Sequence, residues 1–141
     1  MSMELQVTVD PEMPHELTKW WADALGWEVE PSDEEFIRGL ISAGHAQVSD
    51  TTTFEGVLVW QQGAAIRDPD HPQRPRVVFQ WVPESKQTKN RLHLDLQAGD
   101  GREDLAAVLE SKGATIMHRR SQGPYRWITM SDPEGNEFCL C

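Results

Sequence analysis

A pattern that occurs twice constrains this chain more than any other feature. Leu5-Gln6-Val7-Thr8-Val9 alternates like a strand and leads into an amphipathic stretch that stops at Gly26. Arg91-Leu92-His93-Leu94-Asp95-Leu96 does the same and leads into a stretch that stops at Gly113. The mid-strand polar residue precedes the glycine by 20 residues in both cases, Gln6 to Gly26 and His93 to Gly113, so a shift of 87 superposes them. A repeat on this scale means one supersecondary unit used twice. Two such units are expected to enclose a cleft, and clefts between repeats hold ligands.

The remaining periodicity completes the unit. Leu17, Trp20, Trp21, Ala24 and Leu25 recur at helical spacing, with Gly26 as the stop. Asp100 and Glu103 form a capping-box pattern ahead of Leu105, Val108 and Leu109. A third helix, without counterpart in the second half, is predicted from the Ser32–Glu35 box, the apolar Phe36, Ile37, Leu40 and Ile41, and the stop at Gly44. Strands are predicted at Trp27–Glu30, Val57–Gln61, Val77–Val82, Ala114–Arg119, Arg126–Ser131 and Glu137–Cys141, the last after the turn-forming Asp132-Pro133-Glu134-Gly135-Asn136. The expected architecture is α+β: two tandem βαβββ modules forming a curved, mixed eight-strand sheet around a cleft, with one extra helix in module 1. One domain spans residues 1–141, with module 1 over about 1–83, a polar linker at 84–89 and module 2 over about 90–141. Pairing Gln80 with Cys139 as equivalent last-strand positions leaves about 28 additional residues in module 1.

Period-two alternation then separates the faces. Leu92, Leu94 and Leu96 are expected on the helix side, which leaves His93 on the other. By the same reasoning Gln6, Gln80, His93 and Cys139 are expected to converge, each in the middle of the first or last strand of its half. Trp60 and Trp127, each assigned to a third strand, are candidates for stacking on a planar ligand. The plainer readings are a core role for Trp20 and Trp21, surface positions for His15, His45, His71 and His118, and a buried filler role for Cys139.

The chain resembles the vicinal oxygen chelate superfamily, which includes glyoxalase I, bleomycin-resistance proteins and extradiol dioxygenases. The residues that carry the likeness are Lys89-Asn90-Arg91-Leu92-His93-Leu94-Asp95-Leu96, Asp132-Pro133-Glu134-Gly135-Asn136-Glu137-Phe138, Trp20 to Trp27, and Ser121-Gln122-Gly123-Pro124-Tyr125-Arg126-Trp127. The first and the last two of these are similar to glyoxalase-like proteins common in actinobacteria. Metal-dependent members place His or Gln on the first strand of each half and Glu, sometimes His, on the last. Carried over by position, that resemblance implies Gln6, Gln80, His93 and Cys139, with Glu137 two residues early on the same face. Two amides, one imidazole and one thiol offer a divalent ion little negative charge, so no catalytic metal is expected. If a metal is present, Gln6, His93 and Glu137 or Cys139 are its candidate ligands.

Charge narrows the partners. A formal net charge of −10 over 141 residues disfavours nucleic acid and anionic membranes. No apolar run is long enough to span a bilayer, and Met1-Ser2-Met3-Glu4 shows no leader pattern. Cys139 and Cys141 are too poorly disposed on one strand to form a disulfide, so a cytoplasmic setting is expected. The expected function is a glyoxalase-like protein with a small-molecule cleft lined by Gln6, Trp60, Gln80, His93, Trp127 and Cys139. The alternatives are a metal-dependent lyase or dioxygenase with His93 as ligand or base, and a non-catalytic scaffold. A homodimer is expected.

Overall fold

The computed structural model describes all 141 residues, and their contacts divide into two compact units, Met1–Glu84 and Ser85–Cys141. The first unit runs β1 (Val7–Val9), α1 (Pro14–Leu25), β2 (Glu28–Val29), α2 (Glu34–Ser42), β3 (Thr51–Phe54), β4 (Val57–Trp60), β5 (Gly63–Arg67) and β6 (Val77–Gln80). The second runs β7 (Leu94–Leu96), α3 (Arg102–Ser111), β8 (Thr115–Gln122), β9 (Tyr125–Ser131) and β10 (Glu137–Leu140).

Each unit contains one four-stranded mixed sheet, ordered β1-β6-β5-β2 in the first and β7-β10-β9-β8 in the second. Counted from the first strand of each unit, these are the same order, so the repeat seen in the sequence is a repeat of topology. In both, the first and last strands pair in parallel and the rest antiparallel. The remaining pair, β3 and β4, forms a separate hairpin.

The helices sit where the apolar stripes require. In the first unit, Leu17, Trp21 and Ala22 of α1 are buried with Ile66, Val77 and Phe79 of the sheet. In the second, Ala106 and Leu109 of α3 are buried with Ile128, Met130, Phe138 and Leu140. Burial of this apolar area, at roughly 25 cal/mol per Å², is the main term holding helix to sheet. Gly26 takes the left-handed conformation at the C-cap of α1 (φ 67°), and Gly113 follows α3 at φ 107°. These are backbone angles that side chains resist, which is why both helices end on glycine.

Local chemistry differs from expectation at the helix starts. The N-cap of α2 is Asp33, which accepts from the Phe36 amide at 2.9 Å, while the Ser32 hydroxyl donates to the Leu58 carbonyl. The predicted Asp100–Glu103 box does not form. A short 3₁₀ turn, Gly99–Gly101, precedes α3, and Glu103 instead forms a bidentate ion pair with Arg119 at 2.9 Å. Leu92 is 88% exposed and outside the strand rather than on the helix side.

The insertion is larger than one helix. Beyond α2 it contains the β3–β4 hairpin, turned by Glu55 and Gly56, both at positive φ. The ladders also correct the offset between the halves. Val7 pairs with Val77, and Leu94 pairs with Phe138. The offset therefore changes from 87 at the first strand to 61 at the last, which makes the insertion 26 residues. Gln80 is thereby equivalent to Cys141, and Val78 to Cys139.

Candidate functional site

The sheet face opposite each helix carries the side chains available for chemistry. In the second unit this face bears His93 just before β7 and Asp95 within it, Trp127 and Thr129 from β9, and Glu137 and Cys139 from β10 with Cys141 just after it. All seven line one cavity of about 390 Å³, which His118 and Lys89 also border. Three of the residues expected at the site, His93, Trp127 and Cys139, are thus brought together. His93 Nδ1 lies 2.8 Å from Asp95 Oδ1. The ligand-type atoms of His93, Asp95 and Cys139 all lie within 4.8 Å of one another. The Thr129 hydroxyl is 3.5 Å from Cys139 Sγ. Burial pushes the Cys141 thiol above its ordinary pKa, and the charge of Asp95 adds to the effect.

Glu137 is occupied otherwise. Its carboxylate accepts from Lys86 Nζ at 2.9 Å and from the Asn90 backbone amide at 3.0 Å. Burial alone would raise its pKa. The Asn90 amide and the Lys86 ammonium outweigh that and hold it below the usual carboxylate range. Glu137 therefore clamps the segment that enters β7, and its oxygens are already engaged.

The first unit is arranged differently. Gln6 precedes β1 and is exposed. Its Oε1 accepts from Arg76 Nη1 at 3.4 Å, and Arg76 is also paired with Glu30 at 2.9 Å. Gln80 lies at the far end of β6, four residues beyond Arg76, or about 13 Å along a strand. Gln6 and Gln80 thus do not converge, and they border different cavities. Trp60 is not on the third strand, as expected, but on the inserted hairpin. The position equivalent to Trp127 is Gly63, paired with Gln80. No side chain fits there, because a Cβ would sit 1.8 Å from the Phe79 carbonyl oxygen.

Gln80 and Trp60 nevertheless border one cavity of the first unit, about 850 Å³. Its apolar wall includes Phe36, Phe54, Val59 and Trp60, and Arg76 and Gln80 are among its polar groups. The hairpin that supplies Phe54 and Trp60 is fastened to α1. The His15 ring stacks on Phe54 at 5.4 Å between centroids, and His15 Nε2 lies 2.8 Å from the Trp60 carbonyl oxygen. Lys19 pairs with Glu55 at the hairpin turn. His15, expected at the surface, is buried in this contact. Phe54 was missed because the turn after it is Glu-Gly rather than the Asn-Gly or Asp-Gly that marks a two-residue hairpin most clearly.

Two βαβββ units of one strand order, with polar and ligand-type side chains on the face away from the helices, define the class. It is the vicinal oxygen chelate superfamily. Within it the chain belongs to the glyoxalase-like domain family, whose match spans residues 6–141. Solved structures agree on the fold. A mutant of the fosfomycin resistance protein FosX from Listeria monocytogenes, in complex with Mn(II) and dihydroxypropylphosphonic acid, is 12% identical with a TM-score of 0.65, over 99% of this chain and 89% of that one. FosX from Mesorhizobium loti is 13% identical with a TM-score of 0.63, over 99% and 90%. Hypothetical protein SA1046 from S. aureus is 10% identical with a TM-score of 0.60, over 99% and 96%. No curated protein matches the chain by sequence. No helix is long and apolar enough to cross a membrane.

Of the four positions that the resemblance implies, Gln6 and Gln80 border different cavities, while His93 and Cys139 share one in the second unit. The Gln6 side chain meets Arg76, a cation, and Glu137 is engaged by Lys86 and Asn90. Gln80 at the far end of β6 adds no charge.

Proposed function

We propose that this protein binds a small, largely apolar, planar molecule in the cavity of the Met1–Glu84 unit. The cavity itself carries this reading. Its volume of about 850 Å³ falls in the range of small-molecule sites, and apolar walls with a few polar groups are what such sites present. Trp60 and Phe54 offer ring faces for stacking. The Gln80 carboxamide offers both a donor and an acceptor. Arg76, whose charge Glu30 balances, favours a ligand with a hydrogen-bonding or weakly anionic end over a cation. The insertion of α2 and the hairpin supplies most of the aromatic wall, so the feature that breaks the internal repeat is also the one that builds the cavity. The ligand is held without the metal set used by metal-dependent members of the superfamily.

Anilinonaphthalenesulfonate, which is planar, apolar and anionic at one end, is a suitable probe. Calorimetric titration is expected to show a saturable site. Trp60→Ala should weaken it by about tenfold, the equivalent of roughly 1.4 kcal/mol, and Gln80→Ala should weaken it less. Unchanged affinity in Trp60→Ala would remove the cavity from the account.

A further inference from the structure

We propose that a charged cavity beside the apolar one binds the head of the ligand, and that the ligand is a small zwitterion with a planar ring, in class an aromatic α-amino acid. This rests on the apolar cavity of the first unit being a ligand site, and adds to it the place where the head is held. The second cavity, of about 690 Å³, lies among the residues before β1, the strand β2 and the loop between β5 and β6. Arg76 and Glu30 border both cavities. The sheet sets the spacing. Ile66 and Val77 are buried under α1, so Ala65 and Val78, which pair with each other, lie on the other face, where they border the apolar cavity. Arg67 is two residues beyond Ala65 and Arg76 two before Val78, so both share that face about 7 Å further along. A ring seated over Ala65 and Val78 thus brings its head to the two arginines. That step is comparable with the reach from the indole ring of tryptophan to its α-carboxylate.

Charge selects the head. The only Lys and Arg residues of Met1–Glu84 are Lys19, Arg38, Arg67, Arg74 and Arg76, against three times as many acids. Three of these five, Arg67, Arg74 and Arg76, border this one cavity, so it is where the unit best tolerates a carboxylate. Arg67 donates through Nε to Glu28 at 2.7 Å, which leaves both of its Nη groups without a partner. Such an Nη pair takes a carboxylate in two parallel hydrogen bonds. The same cavity also presents acceptors. Each arginine has its own acid: Glu28 for Arg67, Asp68 for Arg74 and Glu30 for Arg76. Glu30 engages Arg76 through Oε2 at 2.9 Å, so its Oε1 is left to accept from an ammonium. Glu4 adds a further carboxylate. An anion alone meets all of these like charges, and an amine alone meets the three arginines. A zwitterion sets each of its charges against an opposite one and adds no net charge to a unit already rich in acid. The Arg67–Glu28 and Arg76–Glu30 pairs are partly exposed, so their groups exchange partners at small cost.

The full chain is titrated by calorimetry with four indoles that share the ring and differ in the head: tryptophan, indole-3-propionate, tryptamine and indole. Tryptophan should bind tightest, by about tenfold over each of the other three, the equivalent of roughly 1.4 kcal/mol. Arg67→Met should bring tryptophan down to the level of tryptamine, and Glu30→Gln to that of indole-3-propionate. Folding of the variants is checked by cooperative urea unfolding. Should either fail to fold, the four indoles on the unaltered chain decide the matter alone. Tryptophan no tighter than any one of the other three, or a preference for it that survives Arg67→Met, would overturn the proposal. Anilinonaphthalenesulfonate bound through Trp60 in the same chain would then show that the apolar cavity still stands. If neither the dye nor tryptophan responds to Trp60→Ala, both readings fall together.

Discussion

Replacing Lys86 by Met tests whether Glu137 is a structural clamp. The Glu137 side chain is 8% exposed and that of Lys86 24%, and the two meet at 2.9 Å. Removing one partner of a fully buried pair costs about 3–5 kcal/mol, because the other charge is left without compensation. Two features lower the figure here. Lys86 is partly solvated, and the Asn90 amide still donates to the carboxylate at 3.0 Å. A loss of about 2–3 kcal/mol is therefore expected. With a urea slope of about 2 kcal/mol per M, that moves the midpoint down by roughly 1–1.5 M. The second half of the test is Glu137→Gln, which keeps an acceptor for Asn90 but removes the charge. In the double variant no carboxylate is stranded, so the two losses should fall short of additivity by about 1–2 kcal/mol. Urea unfolding of all four chains at neutral pH gives the cycle. Additivity within about 0.3 kcal/mol, or a Lys86→Met loss below about 0.5 kcal/mol, would refute the clamp and return Glu137 to the pool of available ligands.

Three further outcomes follow from other parts of the molecule. Gly63→Ala should destabilise by about 2 kcal/mol or more, since the new Cβ meets the Phe79 carbonyl oxygen at 1.8 Å and β5 must shift; a urea midpoint equal to that of the parent chain would show that the strand moves freely. Burial works to raise the pKa of Asp68, but the Asp70 amide, His71 and Arg74 together bring it below its ordinary value, as happens at Glu137. A depressed folded-state pKa gives stability that is complete above the unfolded value and lost as pH falls through the folded one. Loss is therefore expected below about pH 4 and should be smaller in Asp68→Asn, and an acid-unfolding curve identical in the two chains would contradict this. We also propose a homodimer, because the long, exposed β8 is an edge of its sheet and such edges invite pairing; light scattering should give twice the 16.0 kDa chain mass, and the monomer mass at micromolar protein would exclude it.

The repeat was legible because two independent signals agreed. Strand alternation and the glycine stops at Gly26 and Gly113 both require a particular backbone, and tertiary context does not easily override them. Alternation also placed His93 and Cys139 on one face, where they border one cavity. Three kinds of feature were not legible. Register is the first: Gln80 corresponds to Cys141 and not, as expected, to Cys139, because a short strand does not show where its ladder begins. The second was the origin of Trp60. Val57–Trp60 reads as a strand in either role, and only the pairing shows that it belongs to a hairpin and that Gly63 takes the third-strand position. Pairing across a distance was the third. The clamp joins Lys86 to Glu137, and Asp95 meets Cys139 only through the parallel ladder.

The central claim is that the insertion builds a ligand cavity against the first sheet, and a crystal structure of the chain with anilinonaphthalenesulfonate tests it most directly. The account predicts the naphthalene ring stacked on Trp60 or Phe54, with a polar atom of the probe within hydrogen-bond distance of the Gln80 carboxamide. A probe bound elsewhere on the chain, or a first unit in which Phe36 and Trp60 close onto the sheet and leave no room for a ring, would contradict it.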